Sequence, residues 1–127
     1  VFEYNAGGVF RGPTTKLLRD KAKHVSGITI IKDNNSAFVG TNLHERLKEK
    51  KIRTLFIIGI NANGCVQDTA IGALRRGYKV FTSTDLIAST SRGTLGLSKR
   101  NEHWYRSNNL LLKDVQEVMN LISGANY

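Results

Sequence analysis

Short apolar runs alternate with amphipathic stretches from about residue 28 onward. The runs are β-branched and compact, as in strands buried on both faces of a parallel sheet; they are 28–31, 54–58 and 78–82. The stretches between them carry the apolar spacing of helices; they are 41–51 and 65–76, and Gly77 follows the second as a helix stop. This order predicts an α/β domain with a mostly parallel sheet.

The remaining segments carry weaker patterns. Residues 109–112 predict a further strand, and Asp114 with Glu117 forms a capping-box pattern that begins a last helix. Residues 1–27 contain a candidate strand at 1–4 and a candidate basic helix at 14–24. Residues 86–108 are rich in Ser, Thr, Gly and Asn, and we expect a long loop with some irregular helix that borders a site.

The composition is that of one ordinary globular domain over residues 1–127. Hydrophobic residues make up 40 % and there is one Pro, which excludes a disordered or collagen-like chain. No apolar run approaches the ~20 residues of a membrane span. The one cysteine, Cys65, excludes an intramolecular disulfide and a structural zinc set. A free thiol is typical of a reducing compartment, so we expect a cytoplasmic protein, with a secreted effector as the alternative.

The charge balance is strongly basic, with 19 Lys and Arg against 10 Asp and Glu and a net charge of +9. Such a balance indicates an anionic partner, surface or substrate, or selection for solubility. Because the basic residues are scattered over predicted helix ends and loops, we interpret them as a solvated surface and do not expect nucleic acid as a partner. The chain begins with Val1 and its first residues lack a signal-peptide pattern, so we interpret it as a processed or excised piece, or as one whose numbering omits the true start.

Cys65 is the strongest candidate for chemistry. In parallel α/β sheets, ligands bind beyond the carboxyl ends of strands, and the segments at those ends are 32–35, 59–65 and 83–85. Cys65 follows a strand and a tight turn at the predicted start of a helix, where free N–H groups and the helix dipole favour thiolate, and a nearby Lys32 would add to that effect. The same N–H groups can hold the oxyanion of a tetrahedral intermediate. The alternative is that Cys65 is a small buried apolar residue.

Other patterns argue against competing chemistries. Gly59 and Gly64 have the spacing of a phosphate-binding loop, but Cys65 and Val66 replace the Lys and Ser or Thr that hold phosphate and magnesium, which argues against a nucleotide site. The three histidines are far apart in sequence and no pair has metal-ligand spacing; they are His24, His44 and His103. The aromatic pair Trp104 and Tyr105 could line a pocket, although such a pair more often serves packing.

Three motifs follow one another between residues 28 and 90. They are Lys32-x-x-x-Ser36-Ala37-Phe38-x-x-Thr41-x-Leu43, then Ile57-Ile58-Gly59-Ile60, then Gly64-Cys65-Val66-x-x-Thr69-Ala70-x-x-Ala73-x-x-x-Gly77-Tyr78-x-Val80, with Asp85 beyond. In this order and spacing they resemble the isochorismatase-like cysteine hydrolases, which include nicotinamidases and N-carbamoyl amidohydrolases. Residues 28–90 are the best-matching core.

The resemblance implies a three-layer α/β sandwich and the hydrolysis of a small amide-like substrate through a covalent intermediate, with no cofactor. It assigns the nucleophile to Cys65 and the triad lysine to Lys32. The family's cis peptide bond falls on Ile60–Asn61, so the backbone N–H groups of Asn61 and Cys65 are expected to form the oxyanion hole. The metal-binding Asp and His residues of the nicotinamidases have no counterparts here, and we expect no zinc.

The resemblance stops short at the N-terminus. Family members carry the triad Asp on a first, central strand in a pattern like Asp-x-Gln, and this sequence lacks it, so the sheet is expected to lack its first strands. We expect either that residues 1–4 pair beside the strand at 54–58 with Glu3 directed toward Cys65, or that a second chain or a homo-oligomer covers the open edge. Two other functions fit the sequence: a catalytically inactive binding or assembly module, and a toxin or cargo domain excised from a larger polypeptide.

Overall fold

The computed structural model describes residues 2–4, 30–91 and 94–124. Within these ranges the chain forms strands and helices with the following bounds: β1 Phe2–Tyr4, β2 Ile30–Lys32, α1 Leu43–Glu49, β3 Thr54–Phe56, β4 Gly59–Ile60, α2 Cys65–Arg75, β5 Lys79–Ser83, β6 Ile87–Ser91, β7 Thr94–Gly96, α3 Lys99–Ser107, β8 Leu111–Leu112 and α4 Val115–Gly124. No helix in these ranges has both the length and the apolar character of a membrane span. The predicted helix at 14–24 lies outside the described residues.

The strands pair mostly in parallel, which confirms the predicted α/β fold. β1 pairs with β2, β5 lies between β3 and β8, and β4 pairs with β6, all in parallel. The one antiparallel pair within the described ranges joins β6 to β7. Parallel neighbours need crossover connections, and the segment that contains helix α2 supplies the one between β3 and β5.

Helix α2 lies against the sheet because its packed face is made of small residues. Ala70 and Ala73 are buried in the main core together with Val80 of β5. At Gly72 a Cβ would meet Phe38 Cδ2 and Ser36 Oγ, each at 3.0 Å, so the segment 33–38 packs directly on the helix backbone there. The helix ends as predicted, since Gly77 has a φ of +83°.

The last helix, α4, begins with the predicted capping box. The backbone N–H of Glu117 donates to Asp114 Oδ1 at 2.9 Å, and the Glu117 carboxylate accepts from the backbone N–H of Lys113 at 2.6 Å. Val118 is buried, and α4 packs on β5 and β8.

The described residues of the segment 86–108 form two paired antiparallel strands and a helix, so the prediction of a long irregular loop is wrong. Ile87 and Ser89 are buried while Thr90 is exposed, which gives β6 a strand alternation despite its small polar residues. Helix α3 begins at a Ser98 cap, whose side chain accepts from the backbone N–H of Asn101 at 3.2 Å. Ser and Thr favour loops when their polar groups have no partner elsewhere in the fold. Here the Ser98 hydroxyl caps a helix, and Ser89 and Thr90 form hydrogen bonds with the turn at residues 61–64.

The N-terminal strand β1 pairs with β2, so the predicted pairing of residues 1–4 beside 54–58 is wrong for the described part of the chain. Its parallel register sets Glu3 opposite Ile31 and Tyr4 opposite Lys32. The physical reason is sequence order, because consecutive strands are usually neighbours in a sheet.

Two residues that were predicted to lie in strands buried on both faces are exposed. Ile31 is 62 % exposed and Ile58 is 66 % exposed, although Ile30 beside the first is buried. The described elements therefore cover these strands on one side only.

Candidate active site

The thiol of Cys65 lies at the first residue of α2, between a hydrogen-bond acceptor and a donor. Cys65 Sγ donates to the backbone oxygen of Ile60 at 3.0 Å, and the backbone N–H of Asn61 donates to Sγ at 3.2 Å. The residue is partly exposed. A thiolate would keep the Asn61 N–H as a donor, which is an arrangement suited to a nucleophile.

The nucleophile turn, residues 61–64, connects β4 to α2. The peptide bond Ile60–Asn61 is cis, as the resemblance predicts. The backbone oxygen of Asn61 accepts from the N–H groups of Gly64 and Val66 at 3.0 and 3.2 Å. Asn61 thus links the end of β4 to the first turn of the helix that carries the thiol.

Strand β6 holds the side chains of this turn. Asn61 Oδ1 accepts from the backbone N–H of Thr90 at 3.1 Å and from its hydroxyl at 3.2 Å. The Ser89 hydroxyl donates to Asn63 Oδ1 at 2.8 Å and accepts from the Asn63 backbone N–H at 3.2 Å. Both asparagines of the turn are therefore anchored to neighbouring residues of one strand.

Helix α3 holds the main chain of the turn through Tyr105. The phenol of Tyr105 donates to the backbone oxygen of Ala62, and Tyr105 is 1 % exposed. Burial raises the pKa of Tyr105, and the negative charges of Cys65 and Asp68 raise it further. The sequence pattern marked Tyr105 as pocket lining or packing and gave no sign of this bond, which joins residues far apart in the chain.

Lys32 ends β2 and is 6 % exposed. Its ammonium donates to the backbone oxygens of Asn34 and Asn35 at 2.8 and 2.7 Å. Burial lowers the pKa of Lys32, and the negative charges of Cys65 and Asp68 act in the opposite direction. Lys32 and Cys65 therefore interact electrostatically, and Asp68, one turn along α2 from the thiol, belongs to the same charge environment although the sequence analysis did not select it.

The lysine loop, residues 33–38, is fastened to α2. The backbone N–H of Ala37 donates to the Thr69 hydroxyl at 3.0 Å, and Gly72 allows the close approach of Phe38. A cavity of about 640 Å³ opens beside this contact, with Asp33, Asn35 and Asp68 in its wall.

The other candidate residues lie elsewhere. His44 Nδ1 lies 2.8 Å from the Tyr78 hydroxyl, and His103 pairs with Ser107 of its own helix at 3.3 Å. His24 lies outside the described residues. Within residues 2–4, 30–91 and 94–124, no group of three or more His, Cys, Asp and Glu side chains is arranged to hold a metal ion.

Comparison with known proteins places the chain in a family. Residues 3–98, more than half of the chain, match the family model described as the isochorismatase domain. The chain therefore belongs to the isochorismatase family.

Individual relatives match shorter stretches. The chain is 38 % identical over 58 residues to nicotinamidase 3 of Arabidopsis thaliana, covering 46 % of this chain and 29 % of that protein. It is 32 % identical over 77 residues to an N-carbamoylsarcosine amidase of an Arthrobacter species, covering 60 % of this chain and 29 % of that protein. The chain thus matches less than a third of the length of these relatives.

Among solved structures, an isochorismatase-like hydrolase from Alkaliphilus metalliredigens superposes with a TM-score of 0.61 at 29 % identity. The superposition covers 74 % of this chain and 50 % of that one, and supports the α/β fold.

Proposed function

We propose that this member of the isochorismatase family is an enzyme, a cysteine hydrolase that cleaves a small amide-like substrate through a covalent intermediate on Cys65. The observation that carries the proposal is the setting of Cys65 Sγ, which lies at a helix N-terminus and accepts a hydrogen bond from the Asn61 N–H. The charge of the buried Lys32, which interacts with Cys65, favours the thiolate.

In the proposed reaction the Cys65 thiolate attacks the substrate carbonyl carbon. A C–S bond forms and the carbonyl π pair moves to oxygen, where the backbone N–H groups of Asn61 and Cys65 stabilise the charge. When the intermediate collapses, the C–N bond breaks and the nitrogen leaves with the proton that the thiol gave up. Water then attacks the thioester, releasing the acid and restoring the thiol.

The proton transfers need a carboxylate, the role that the family pattern gives to its triad Asp. We propose that Glu3 or an acid of a second chain fills this role. Among the described residues β3 pairs along one edge only, with β5, and Ile58 just beyond it is 66 % exposed. An unpaired strand edge beside exposed apolar surface favours pairing with a further strand, from a second copy or another polypeptide.

The net charge of +9 favours a negatively charged substrate, because long-range attraction raises the encounter rate. A catalytic free thiol must stay reduced, so the proposal includes a cytoplasmic location.

The proposal is tested by screening small amides and carbamoyl compounds against the wild type and Cys65→Ala. We expect turnover by the wild type and a loss of roughly 10³-fold or more in the variant, since no other cysteine can replace the nucleophile. Ammonia release is the measurement. Equal background turnover by both proteins would favour the inactive binding module instead.

A further inference from the structure

We propose that Tyr105 is a positioning residue for the nucleophile: its phenol holds the Ala62 carbonyl and so keeps the Asn61 N–H directed at Cys65 Sγ. The proposal rests on the proposed function, because it assigns Tyr105 a part in preparing Cys65 for attack. Tyr105 belongs to none of the motifs that carry the resemblance.

The contact is a long-range tie between two elements. Tyr105 lies near the C-terminal end of α3 and Ala62 in the nucleophile turn, 43 residues earlier in the chain. The ring packs edge-on against Trp104 with centroids 4.8 Å apart, and only 1 % of Tyr105 is exposed. The phenol is therefore held in one orientation by its surroundings, with its hydroxyl against the turn.

Ala62 depends on this donor. The residue is 0 % exposed, so in the intact chain its carbonyl is shielded from bulk solvent and is bonded to the phenol. Its backbone N–H donates to the oxygen of Ala88 at 2.8 Å. Both backbone polar groups of Ala62 are therefore bonded, the N–H to β6 and the oxygen to α3, and these two bonds hold the main chain of the turn in place.

The main chain next to Ala62 bonds both to the sulfur of Cys65 and to the residue that follows Cys65. Asn61 precedes Ala62 and donates its N–H to Sγ at 3.2 Å, and its carbonyl binds the N–H of Val66, the residue after the thiol, at 3.2 Å. The peptide group that joins Ala62 to Asn63 is held at both ends. The Asn63 N–H donates to Ser89 Oγ at 3.2 Å, and among the described side chains the Tyr105 phenol is the one that donates to the Ala62 oxygen. Loss of the phenol would leave the oxygen end of this peptide group without its donor, and we expect the resulting shift of the turn to reach the Asn61 N–H, which lies two peptide groups earlier.

The phenol remains a donor at every pH at which the thiolate is useful. Its burial and the nearby negative charges of Cys65 and Asp68 raise the pKa of Tyr105, so the hydroxyl stays protonated. A Ser or Thr could not reach as far from the core of α3.

The test compares Tyr105→Phe with the matched control Tyr78→Phe. Tyr78 is also buried, and its phenol forms a hydrogen bond with His44 Nδ1 of α1, outside the nucleophile turn. Iodoacetamide labels the one cysteine, and mass spectrometry gives its rate as a function of pH. We expect labelling of Tyr105→Phe at pH 7 to fall about tenfold and its pH profile to move upward, while Tyr78→Phe matches the wild type.

Further arms keep the test decisive. Tyr105→Leu also removes the hydroxyl but places a different side chain in the core, and we expect the same fall in labelling. Either variant that folds is enough to test the proposal. p-Aminophenylalanine at position 105 restores an N–H donor and should recover most of the labelling rate. Where a hydrolysed substrate is found, kcat should fall with KM nearly unchanged.

A Tyr105→Phe or Tyr105→Leu protein that folds and has the wild-type labelling profile would overturn the proposal. Labelling does not require turnover, so absence of hydrolysis in the wild type would count against the proposed function and leave the Tyr105 comparison intact.

Discussion

The nucleophile turn and the lysine loop are neighbours in the candidate site but are held in different ways. The turn, residues 61–64, is held from outside by hydrogen bonds from β6 and by the phenol of α3. The loop, residues 33–38, is held by α2 itself, through the Thr69 hydroxyl and the bare backbone at Gly72. Helix α2 therefore sets the separation of Lys32 from Cys65, while β6 and α3 set the direction of the groups around the sulfur.

After the loss of Cys65 itself, removing the Lys32 charge should have the largest effect on turnover. Lys32→Met removes the ammonium that favours the thiolate, and we expect turnover to fall about 10²- to 10³-fold, as for the loss of other electrostatic groups at reacting centres. The measurement is turnover of any substrate found in the amide screen. Lys48→Met, which removes an exposed ammonium of α1, is the control and should keep wild-type turnover.

The same substitution should leave the fold intact. Burial lowers the folded-state pKa of Lys32 below its unfolded value, so its favourable contribution is present above the unfolded pKa of about 10.4 and is lost as the pH falls through the folded pKa. At pH 7 the cost of burying the ammonium opposes the gain from the hydrogen bonds that it donates to Asn34 and Asn35, so Lys32→Met should unfold within a few degrees of the wild type. A clear fall in the melting temperature, or wild-type turnover, would contradict the role given to Lys32.

Gly72→Ala should loosen the lysine loop without touching the nucleophile turn. The new Cβ would meet Phe38 and Ser36 at 3.0 Å. Overpacking of this kind costs about 1–3 kcal/mol, which outweighs the gain of up to about 1 kcal/mol in helix propensity. Urea unfolding measures the difference.

Gly124→Ala, where nothing lies within 4 Å of the new atom, is the control and should be neutral or slightly stabilising. If Gly72→Ala were as stable as that control, the loop would not depend on close contact with α2.

Local patterns were sufficient to predict the parts of the fold that local chemistry determines. Cys65 at the start of α2, the stop at Gly77 and the capping box of Asp114 and Glu117 were all predicted from short spacings, and the structure has them. Each of these features depends on residues within a few positions of one another, so the spacing of residue types along the sequence is enough to predict it.

The hydrogen bonds that hold the nucleophile turn could not be predicted in this way. The bond from Tyr105 to Ala62 joins residues 43 apart, and those from Ser89 and Thr90 join residues 26 and 29 apart. Ser89 and Thr90 suggest a loop because small polar residues favour loops when unpaired, and the pairing that orders them comes from β7. The pairing of β1 with β2, and not with the strand at 54–58, is likewise decided by tertiary structure and not by local sequence.

The smallest expected effect is on the pH dependence of stability, and it comes from the buried phenol of Tyr105. Because the folded-state pKa of Tyr105 is raised, its contribution to stability is complete below the unfolded pKa of about 10 and is lost as the pH rises toward the folded pKa. The free-energy difference between wild type and Tyr105→Phe should be constant up to about pH 9 and should shrink above pH 10, by at most about 1.4 kcal/mol per pH unit. Subtracting the variant from the wild type cancels the titration of Lys32 and of the exposed lysines. Urea unfolding at several alkaline pH values measures the difference. A difference that stayed constant up to pH 11 would mean that Tyr105 ionises as readily in the folded chain as in the unfolded one. That result would contradict a buried hydrogen bond from the phenol to Ala62.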